Sequence, residues 1–332
     1  MDKKYTKKLK NKRIIAISYS DDNMTMSRKL NLITAKIIGH ADRVIGYSPS
    51  DLSADFVEAN RDILSYSRGA GYWIWKPYIM LKTLDKMAEG EYLIYTDAGM
   101  IYVDRIRTLI RQMERDNQDI FLSYGFAPCK DWTKRDAFIL MDCDTHDAHN
   151  SIMVSGGYVI VRKTDRAVSF IKEWQRYCND IRIVSDEPNR CNKPNLSGFV
   201  ENRHDQSILS LLAYKYKIEP YKAVSRVDEP QAHRNVLFSR IPGVYGYTFN
   251  HTLELIVREH QTAGYRRSDY GRIFINTGLR NMNYIMYIKI LIKRIAEARN
   301  ADKWGRINND VYIEKEKERL KKLKEFSEER TK

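Results

Sequence analysis

Cysteine is scarce in this 332-residue chain, which contains four cysteines and no pair in a Cys-x-x-Cys spacing. That scarcity excludes the common sequence patterns of a zinc site and of a disulfide framework, and it favours a reducing compartment such as the cytoplasm. Long apolar runs are also lacking, since nowhere do about 18 apolar residues follow one another as a membrane-spanning helix requires. The apolar run Ile14–Ile17 is too short for the core of a secretory signal peptide.

Acidic residues are outnumbered, and the formal net charge is +14, but most of the excess lies at the two ends of the chain. Residues 1–13 carry a net charge of +6 and residues 289–332 of +5, which leaves +3 for residues 14–288. A nucleic-acid-binding protein more commonly carries a basic face on its folded body. The distribution argues against a nucleic-acid partner and favours an anionic membrane surface or a charged acceptor.

Short apolar segments of the kind that form buried strands alternate with amphipathic segments of the kind that form helices. Strands are predicted at residues 13–18, 43–47, 92–95, 119–124 and 152–161. Helices are predicted at residues 26–38, 56–66, 77–88, 105–115, 165–177 and 204–216. This alternation predicts an α/β fold of Rossmann-like type, with a mostly parallel sheet flanked by helices.

The composition divides the chain into three parts. Residues 1–12 are predicted to be a disordered basic lead, residues 13–280 a single domain, and residues 281–332 an amphipathic and charged helical tail. The polar segment 180–201 is predicted to be a loop that covers the active site. Two alternatives stay open for the basic helix at 285–299: it lies on a membrane surface, which would place the protein peripherally on the inner face, or its isoleucines pack onto the domain.

The segment richest in chemistry runs from Arg68 to Pro77, and a short apolar strand that ends on Asp97 follows it. Ligands of open α/β sheets bind beyond the carboxyl ends of the strands, so the turn after the first strand and the Asp97 turn are expected to face one crevice. A carboxylate there can hold Mn²⁺ or Mg²⁺ beside a diphosphate. Asp97 is therefore predicted as a metal ligand; the alternative is a turn residue that only ends the strand.

The residues predicted to bind a nucleoside diphosphate come from these turns and from the Arg68–Pro77 loop. Arg68 and Lys76 can each meet a phosphate, and Gly71 lets the backbone approach a ligand closely. Trp75 is predicted either to stack on a base or sugar or to anchor the loop, and the first turn is predicted to hold the nucleoside. The full set is Ser18, Tyr19, Asp21, Arg68, Gly71, Trp75, Lys76, Tyr95 and Asp97.

Two later segments are predicted to complete the crevice. Gly156 and Gly157 interrupt a strand, which marks either the close approach of a ligand or a bulge. His204, Asp205 and Gln206 precede an apolar helix, where such residues either cap the helix or serve in catalysis. In the catalytic alternative Asp205 acts as a base, a transition-state stabiliser or an acceptor anchor, and His204 titrates or binds the metal.

A literal Asp-x-Asp at Asp142–Asp144 competes with Asp97 for the metal. It lacks a preceding strand–helix context and an aromatic and basic loop beside it. We therefore rank it below Asp97 and regard its acidic, His-containing segment as a candidate for acceptor binding.

Together these motifs resemble nucleotide-sugar glycosyltransferases of the GT-A fold, in particular a bacterial and viral group. The matching motifs are Gly-Tyr-Trp-x-Trp-Lys-Pro, Tyr-x-Asp-Ala-Gly, a Gly-Gly strand and His-Asp-Gln-Ser; they stand here at residues 71–77, 95–99, 156–157 and 204–207. The resemblance spans about residues 13–225 and implies a GT-A domain with a helical carboxyl-terminal extension. Gly156, Gly157 and Asp205 would then border the sugar.

The order of motifs is also similar to that of the glycogenin-like transferases. By that resemblance Asp97 matches the second aspartate of a metal-binding Asp-x-Asp, and Asp205 with Gln206 matches a later pair near the sugar. Tyr95 stands where the first aspartate would be. The resemblance implies a retaining reaction, and the departure at Tyr95 leaves three alternatives: one carboxylate suffices, another group such as His204 adds a ligand, or the cations Arg68 and Lys76 replace the metal.

The expected activity is transfer of a hexose from a UDP- or GDP-sugar to a hydroxyl of a surface polysaccharide, such as a capsule or lipopolysaccharide, or of a lipid-linked glycan. Two rivals are kept. A nucleotidyltransferase should carry a lysine- and glycine-rich loop after the first strand, which residues 18–22 do not have. An inactive nucleotide-sugar or membrane-surface binding protein would share the pocket but not the reaction.

Overall fold

The computed structural model describes residues 12–221, 225–226 and 274–276. Its central sheet has five strands: β1 (Ile14–Tyr19), β2 (Arg43–Tyr47), β3 (Tyr92–Thr96), β5 (Ile120–Phe121) and β8 (Tyr158–Arg162). Their spatial order is β2-β1-β3-β8-β5. The first strand pairs in parallel with both neighbours, whereas β8 runs antiparallel to β3 and β5. One strand therefore opposes the direction of the other four, and the predicted α/β fold with a mostly parallel sheet is confirmed.

Two smaller sheets lie outside the central one. In the first, β4 (Met100–Tyr102) pairs antiparallel with β10 (Phe274–Asn276), which pairs in parallel with β9 (Ser225–Arg226). In the second, β6 (Tyr124–Pro128) pairs antiparallel with β7 (Ile152–Val154).

Helices occupy most of the connections between these strands. The longer ones are α1 (Thr25–Ile37), α5 (Trp75–Leu84), α6 (Arg107–Arg115), α10 (Asp165–Cys178) and α12 (Asp205–Lys215). The short ones are α2 (Ala54–Ala59), α3 (Arg61–Leu64), α4 (Gly69–Tyr72), α7 (Cys129–Trp132), α8 (Arg135–Leu140), α9 (His146–Asn150) and α11 (Ile181–Val184), with 3₁₀ turns at Asp22–Met24 and Pro49–Asp51. Within the described ranges, none of these helices has the length and apolar character needed to cross a bilayer.

Strands β1, β3 and β8 are buried on both faces of the central sheet, which explains why they are apolar runs without polar alternation. Successive side chains point to opposite faces, so Ile15 and Ile17 join one core while Ile14 and Ala16 join the other. The first core includes residues of α5, α10 and α12, and the second includes residues of α1 and α6. Burying apolar surface on both faces fixes the register of the strands that carry the site.

Three predicted elements are wrong in detail. Residues 119–124 do not form one strand, because β5 ends at Phe121 in the central sheet and β6 begins at Tyr124 in another sheet. Residues 152–161 form two strands in different sheets, β7 and β8, because Gly156 and Gly157 lie in the link between them. Residues 56–66 form two short helices that meet at Asn60, whose φ of −120° is not helical. The predicted lead up to residue 11 and the predicted tail from residue 281 lie outside the described residues.

Candidate active site

The Asp97 turn and the end of β1 leave the sheet at the same edge. The two strands pair in parallel with Ile17 opposite Tyr95, so their carboxyl ends lie side by side. The Asp97 side chain is 42% exposed, while Thr96 before it is fully buried. Asp97 is therefore a carboxylate presented to solvent at the edge where open α/β sheets bind ligands.

Tyr95 holds one oxygen of this carboxylate. Tyr95 and Asp97 are two residues apart, and the Tyr95 hydroxyl donates to Oδ1 of Asp97 at 2.5 Å. Burial, followed by the nearby charge of Asp97, raises the pKa of Tyr95 well above its usual value, so the hydroxyl remains a donor. Among the described residues no hydrogen bond reaches Oδ2 of Asp97, which leaves that oxygen available to a ligand.

Lys76, at the start of α5, lies beneath the turn and links three segments of the chain. Its side chain is 3% exposed, and its Nζ donates to the Gly156 carbonyl at 2.9 Å. The same Nζ is 2.7 Å from Oδ2 of Asp205 and 3.7 Å from Oδ1 of Asp97. The predicted residues Lys76, Tyr95, Asp97, Gly156 and Asp205 are thus brought together.

The charges of this cluster determine its protonation. Burial alone would lower the pKa of Lys76, but Asp205 and Asp97 outweigh it and the pKa is raised. Burial raises the pKa of Asp205 to about 6, although Lys76 opposes the rise. Lys76 therefore stays an ammonium between the two aspartates, and Asp205 holds a proton more tightly than an ordinary aspartate does.

Asp205 lies behind Lys76 rather than on the surface of the crevice. Its side chain is 4% exposed, and it follows His204, which is the N-cap of α12. The Trp174 indole nitrogen donates to the Asp205 backbone carbonyl at 3.0 Å and fixes this end of the helix. The Asp205 carboxylate contacts the Lys76 ammonium, and that ammonium in turn lies near Asp97.

The two glycines let neighbouring segments approach Asp97. The Gly157 carbonyl accepts a hydrogen bond from the Asp97 amide at 2.8 Å. A Cβ on Gly157 would lie 2.6 Å from Cε of Met100, and a Cβ on Gly156 would lie 3.1 Å from Cβ of Gln206. Gln206 itself donates from Nε2 to the Val154 carbonyl at 2.9 Å. A side chain at either glycine would therefore crowd protein atoms of the site, whether or not a ligand is bound.

The predicted nucleoside turn is built on an aromatic stack. Tyr19 stacks on Trp75 with ring centroids 3.8 Å apart, and the Trp75 indole nitrogen donates to the Gly69 carbonyl at 3.0 Å. Ser18 is fully buried, and Asp21 caps the 3₁₀ turn by accepting from the Asn23 amide. Of the two alternatives for Trp75, these contacts favour the anchor of the loop.

Arg68 and His204 belong to a second cluster, built around Asp186. Arg68 is 3.3 Å from Oδ2 of Asp186 and 3.0 Å from Oε2 of Glu201, while His204 shares a hydrogen bond of 3.0 Å with Oδ1 of Asp186. Burial lowers the pKa of His204, against the attraction of Asp186, so the ring is neutral at pH 7. The ring also stacks on Tyr72 at 4.7 Å. These contacts tie the Arg68 loop to the polar segment 185–204.

The backbone conformation at residue 71 requires glycine, which the sequence alone does not reveal. Its φ is +89°, and a Cβ there would lie 2.8 Å from the backbone Cα of Leu64. Only glycine fits such a conformation and such a contact without strain.

The competing Asp-x-Asp segment has cationic partners of its own. Asp144 is 3.0 Å from Arg135, 3.3 Å from Lys193 and 2.8 Å from His149. Burial acts to raise the pKa of Asp144, but these hydrogen bonds outweigh it and lower the pKa. The negative charge of Asp144 is thus already balanced by protein side chains.

Asn31 and Asp186 are polar residues of these clusters that the motif analysis missed. Asn31, in the middle of α1, is fully buried and donates to the turn that carries Asp97. Its only sequence signal is a polar residue on the buried side of an amphipathic helix. Asp186 lies in a polar segment where many residues look alike.

The donor set fits a divalent cation shared with a substrate. Within the described ranges no group of three or more His, Cys, Asp or Glu side chains is placed to hold a metal by protein ligands alone. Mg²⁺ and Mn²⁺ commonly take one or two carboxylates and complete their shell with phosphate oxygens and water. Asp97, with Oδ2 available and the Lys76–Asp205 ion pair behind it, matches that type of site.

Comparison with known proteins gives structural neighbours but no sequence family. No protein-family model matches the chain, and no curated relative was found. Mouse xyloside xylosyltransferase 1 in its apo form is 10% identical with a TM-score of 0.41, covering 80% of this chain and 97% of its own. The bifunctional glycosyltransferase WbbM is 10% identical with a TM-score of 0.41, covering 82% and 46%.

Galactosyltransferase LgtC, in complex with donor and acceptor sugar analogues, is 17% identical with a TM-score of 0.30, covering 60% of this chain and 70% of its own. At these identities and TM-scores the similarity carries no conclusion about activity. The function has to be argued from the site itself.

Proposed function

We propose that this protein is a glycosyltransferase that moves a hexose from a nucleoside-diphosphate donor, a UDP- or GDP-sugar, to an acceptor hydroxyl. The observation that supports this most is the half-exposed Asp97 carboxylate at the carboxyl edge of the sheet, beside the end of β1 and backed by the buried Lys76. A site for a diphosphate needs a cation held at one place and neutralising charge nearby. The motifs at residues 71–77, 95–99, 156–157 and 204–207, which contain these residues, resemble those of glycosyltransferases and support the same activity.

Each part of the site has its own task in this proposal. The turn at Ser18–Asp21 binds the nucleoside, and Asp97 holds Mn²⁺ or Mg²⁺, which when bound neutralises charge on the leaving diphosphate. Lys76 fixes the Asp97 carboxylate with the help of Asp205, and Gly156 and Gly157 leave room for the sugar. Arg68 supplies a further cation at the rim once it exchanges its carboxylate partners for phosphate.

The proposed acceptor is a surface polysaccharide or a lipid-linked glycan. Two basic chain ends favour attraction to an anionic membrane surface, where lipid-linked acceptors are found. We therefore place the protein in the cytoplasm, peripherally on the inner face of the membrane.

Hydrolysis and transfer with a panel of UDP- and GDP-sugars, with and without Mn²⁺, tests the proposal. Asp97→Asn should lower turnover by about 100-fold or more, because it removes the charge that holds the cation. Asp62→Asn, which changes an exposed aspartate of α3 outside the site, is the matched control and should leave turnover within about twofold. Equal turnover of wild type and Asp97→Asn would exclude Asp97 from the reaction.

The alternative of an inactive binding protein predicts nucleotide binding without turnover. Calorimetry with UDP and GDP, each with and without Mn²⁺, measures nucleotide binding and, together with the hydrolysis assay, distinguishes the enzyme from the binding protein. Tight binding with no hydrolysis of any donor would favour the binding protein.

A further inference from the structure

Helix α1 carries a buried amide aimed at the Asp97 turn, defined here as residues 96–100. Asn31 is fully buried, and its Nδ2 lies 2.8 Å from Oγ1 of Thr96, 3.2 Å from the Asp97 carbonyl and 2.9 Å from the Met100 carbonyl. Backbone carbonyls only accept hydrogen bonds, so the amide must present its nitrogen to them. One side chain therefore contacts both ends of the turn.

The turn is also held by its flanking strands, since Thr96 lies opposite Tyr158 in β8 and Met100 lies opposite Asn276 in β10. The Met100 amide donates to the Asp97 carbonyl at 2.9 Å, and the Asp97 amide donates to the Gly157 carbonyl at 2.8 Å. These bonds close the turn and attach it to the strand link, but neither attaches it to the helix layer. Asn31 supplies that attachment from α1, which is separated from the predicted nucleoside turn only by the 3₁₀ turn at Asp22–Met24.

We propose that Asn31 is a positioning residue, which holds the 96–100 turn so that the Asp97 carboxylate points into the crevice. The inference rests on the proposed function only for its activity readout. Asn31 touches no substrate; it acts through the backbone on either side of Asp97. Because α1 also follows the Ser18–Asp21 turn, the same amide sets the distance between the nucleoside and diphosphate parts of the site.

Amide hydrogen exchange, measured residue by residue by NMR, tests the structural part without any substrate. Asn31→Leu keeps the size of the side chain and removes the donor. Exchange of the Asp97 and Met100 amides should accelerate by about tenfold or more, because local opening of the turn becomes easier. Unchanged exchange at both amides would overturn the proposal.

Thr34→Val is the matched control, one helical turn further along α1. Thr34 is also buried, and its Oγ1 accepts from the Tyr102 amide at 3.1 Å, beyond the turn. This variant should accelerate exchange at Tyr102 and leave Asp97 and Met100 protected. If it exposes all three amides equally, the effect is general loosening of α1 and the proposal fails.

Turnover of donor hydrolysis tests the connection to Asp97. Asn31→Leu should lower kcat by about tenfold or more with a smaller change in KM, whereas in an Asp97→Asn background the same substitution should add less than about twofold, since both changes act on one group. Full additivity of the two substitutions would show that Asn31 acts elsewhere. Absence of hydrolysis by the wild type would contradict the proposed function, while the exchange result would still decide the role of Asn31.

Discussion

At the scale of single residues, the ion pair between Lys76 and Asp205 supports the exposed carboxylate from below. Both side chains are less than 5% exposed, and they lie 2.7 Å apart. Two charges removed from water are stable only while they face each other. Each residue therefore depends on its partner, and Asp97 depends on both.

Removing one partner should cost more than removing both. Lys76→Met leaves Asp205 as a buried carboxylate without its cation and should lower the free energy of unfolding by about 3–5 kcal/mol at pH 7. The double variant Lys76→Met with Asp205→Leu should recover much of that loss, because no charge remains to be buried. Urea unfolding of the three proteins measures both values.

Lys193→Met is the control for loss of a lysine. Lys193 is 55% exposed and pairs with Asp144 at the surface, so its removal should change stability by less than about 1 kcal/mol. A loss at Lys193 as large as that at Lys76 would show that burial is not the cause.

Asp205 should also give stability a specific dependence on pH. Its pKa in the folded protein is about 6, above the ordinary value of 3.8, so the folded state prefers the protonated form. The stabilising contribution of that proton is complete below the ordinary pKa and is lost as the pH rises through the folded one. The difference in unfolding free energy between wild type and Asp205→Asn should therefore fall by about 2 kcal/mol between pH 4 and pH 7. A difference that stays constant over this range would contradict the raised pKa of Asp205.

The sequence reveals some of these residues and hides others for a physical reason. Lys76 and Asp97 stand in short motifs near strand ends, where a charged residue indicates a ligand-binding role. The distance between Lys76 and Asp205 depends on how α5 and α12 pack, which is a tertiary property. Asn31 is hidden for the same reason, since a polar residue in a helix shows its partner only after the helix is placed.

At the scale of elements, the Arg68–Pro77 loop contains a glycine that was predicted for ligand binding and that the fold also requires. Gly71 was predicted to let a ligand approach, yet its positive φ and its contact with Leu64 already require glycine. Similarly, the Gly156-Gly157 pair was predicted to interrupt one strand, and it separates two strands that belong to different sheets. Periodicity predicts where a strand lies, but not which sheet takes it.

Gly71→Ala separates the two roles. The substitution should lower the free energy of unfolding by about 2 kcal/mol or more, because it combines a left-handed conformation with a clash against backbone. Gly90→Ala is the control, since Gly90 also has a positive φ, of +79°, but its Cβ would meet only the flexible end of Lys12 at 3.6 Å. Thermal unfolding should show the larger loss for Gly71→Ala. Equal losses would mean that the clash with Leu64 is relieved at no cost.

At the scale of the whole molecule, charge is distributed unevenly along the chain. Residues 1–13 contain seven basic residues and one acidic residue, whereas the body is nearly balanced. A basic segment of this kind is attracted to anionic lipid surfaces, and salt screens the attraction.

Replacing Lys3, Lys4, Lys7 and Lys8 with glutamine should weaken association with vesicles that contain phosphatidylserine by about tenfold or more, since each lysine near the surface contributes about 1 kcal/mol. The control replaces four exposed lysines of the body with glutamine: Lys29, Lys86, Lys172 and Lys217. Vesicle flotation at low and high salt measures the effect. If both sets weaken association equally, net charge is responsible and the amino-terminal segment has no special part in it.

The antiparallel strand β8 has a consequence for the order of folding. It pairs with both β3 and β5, and it stands more than sixty residues after β3 in the chain. Until residues 158–162 have been synthesised and paired, β3 has an open edge that carries the apolar residues of the future core. The nascent chain must therefore keep that edge from pairing with other chains while the intervening segment is made. The strand that supports Asp97 is among the earliest to be synthesised, but its pairing is completed only when β8 arrives.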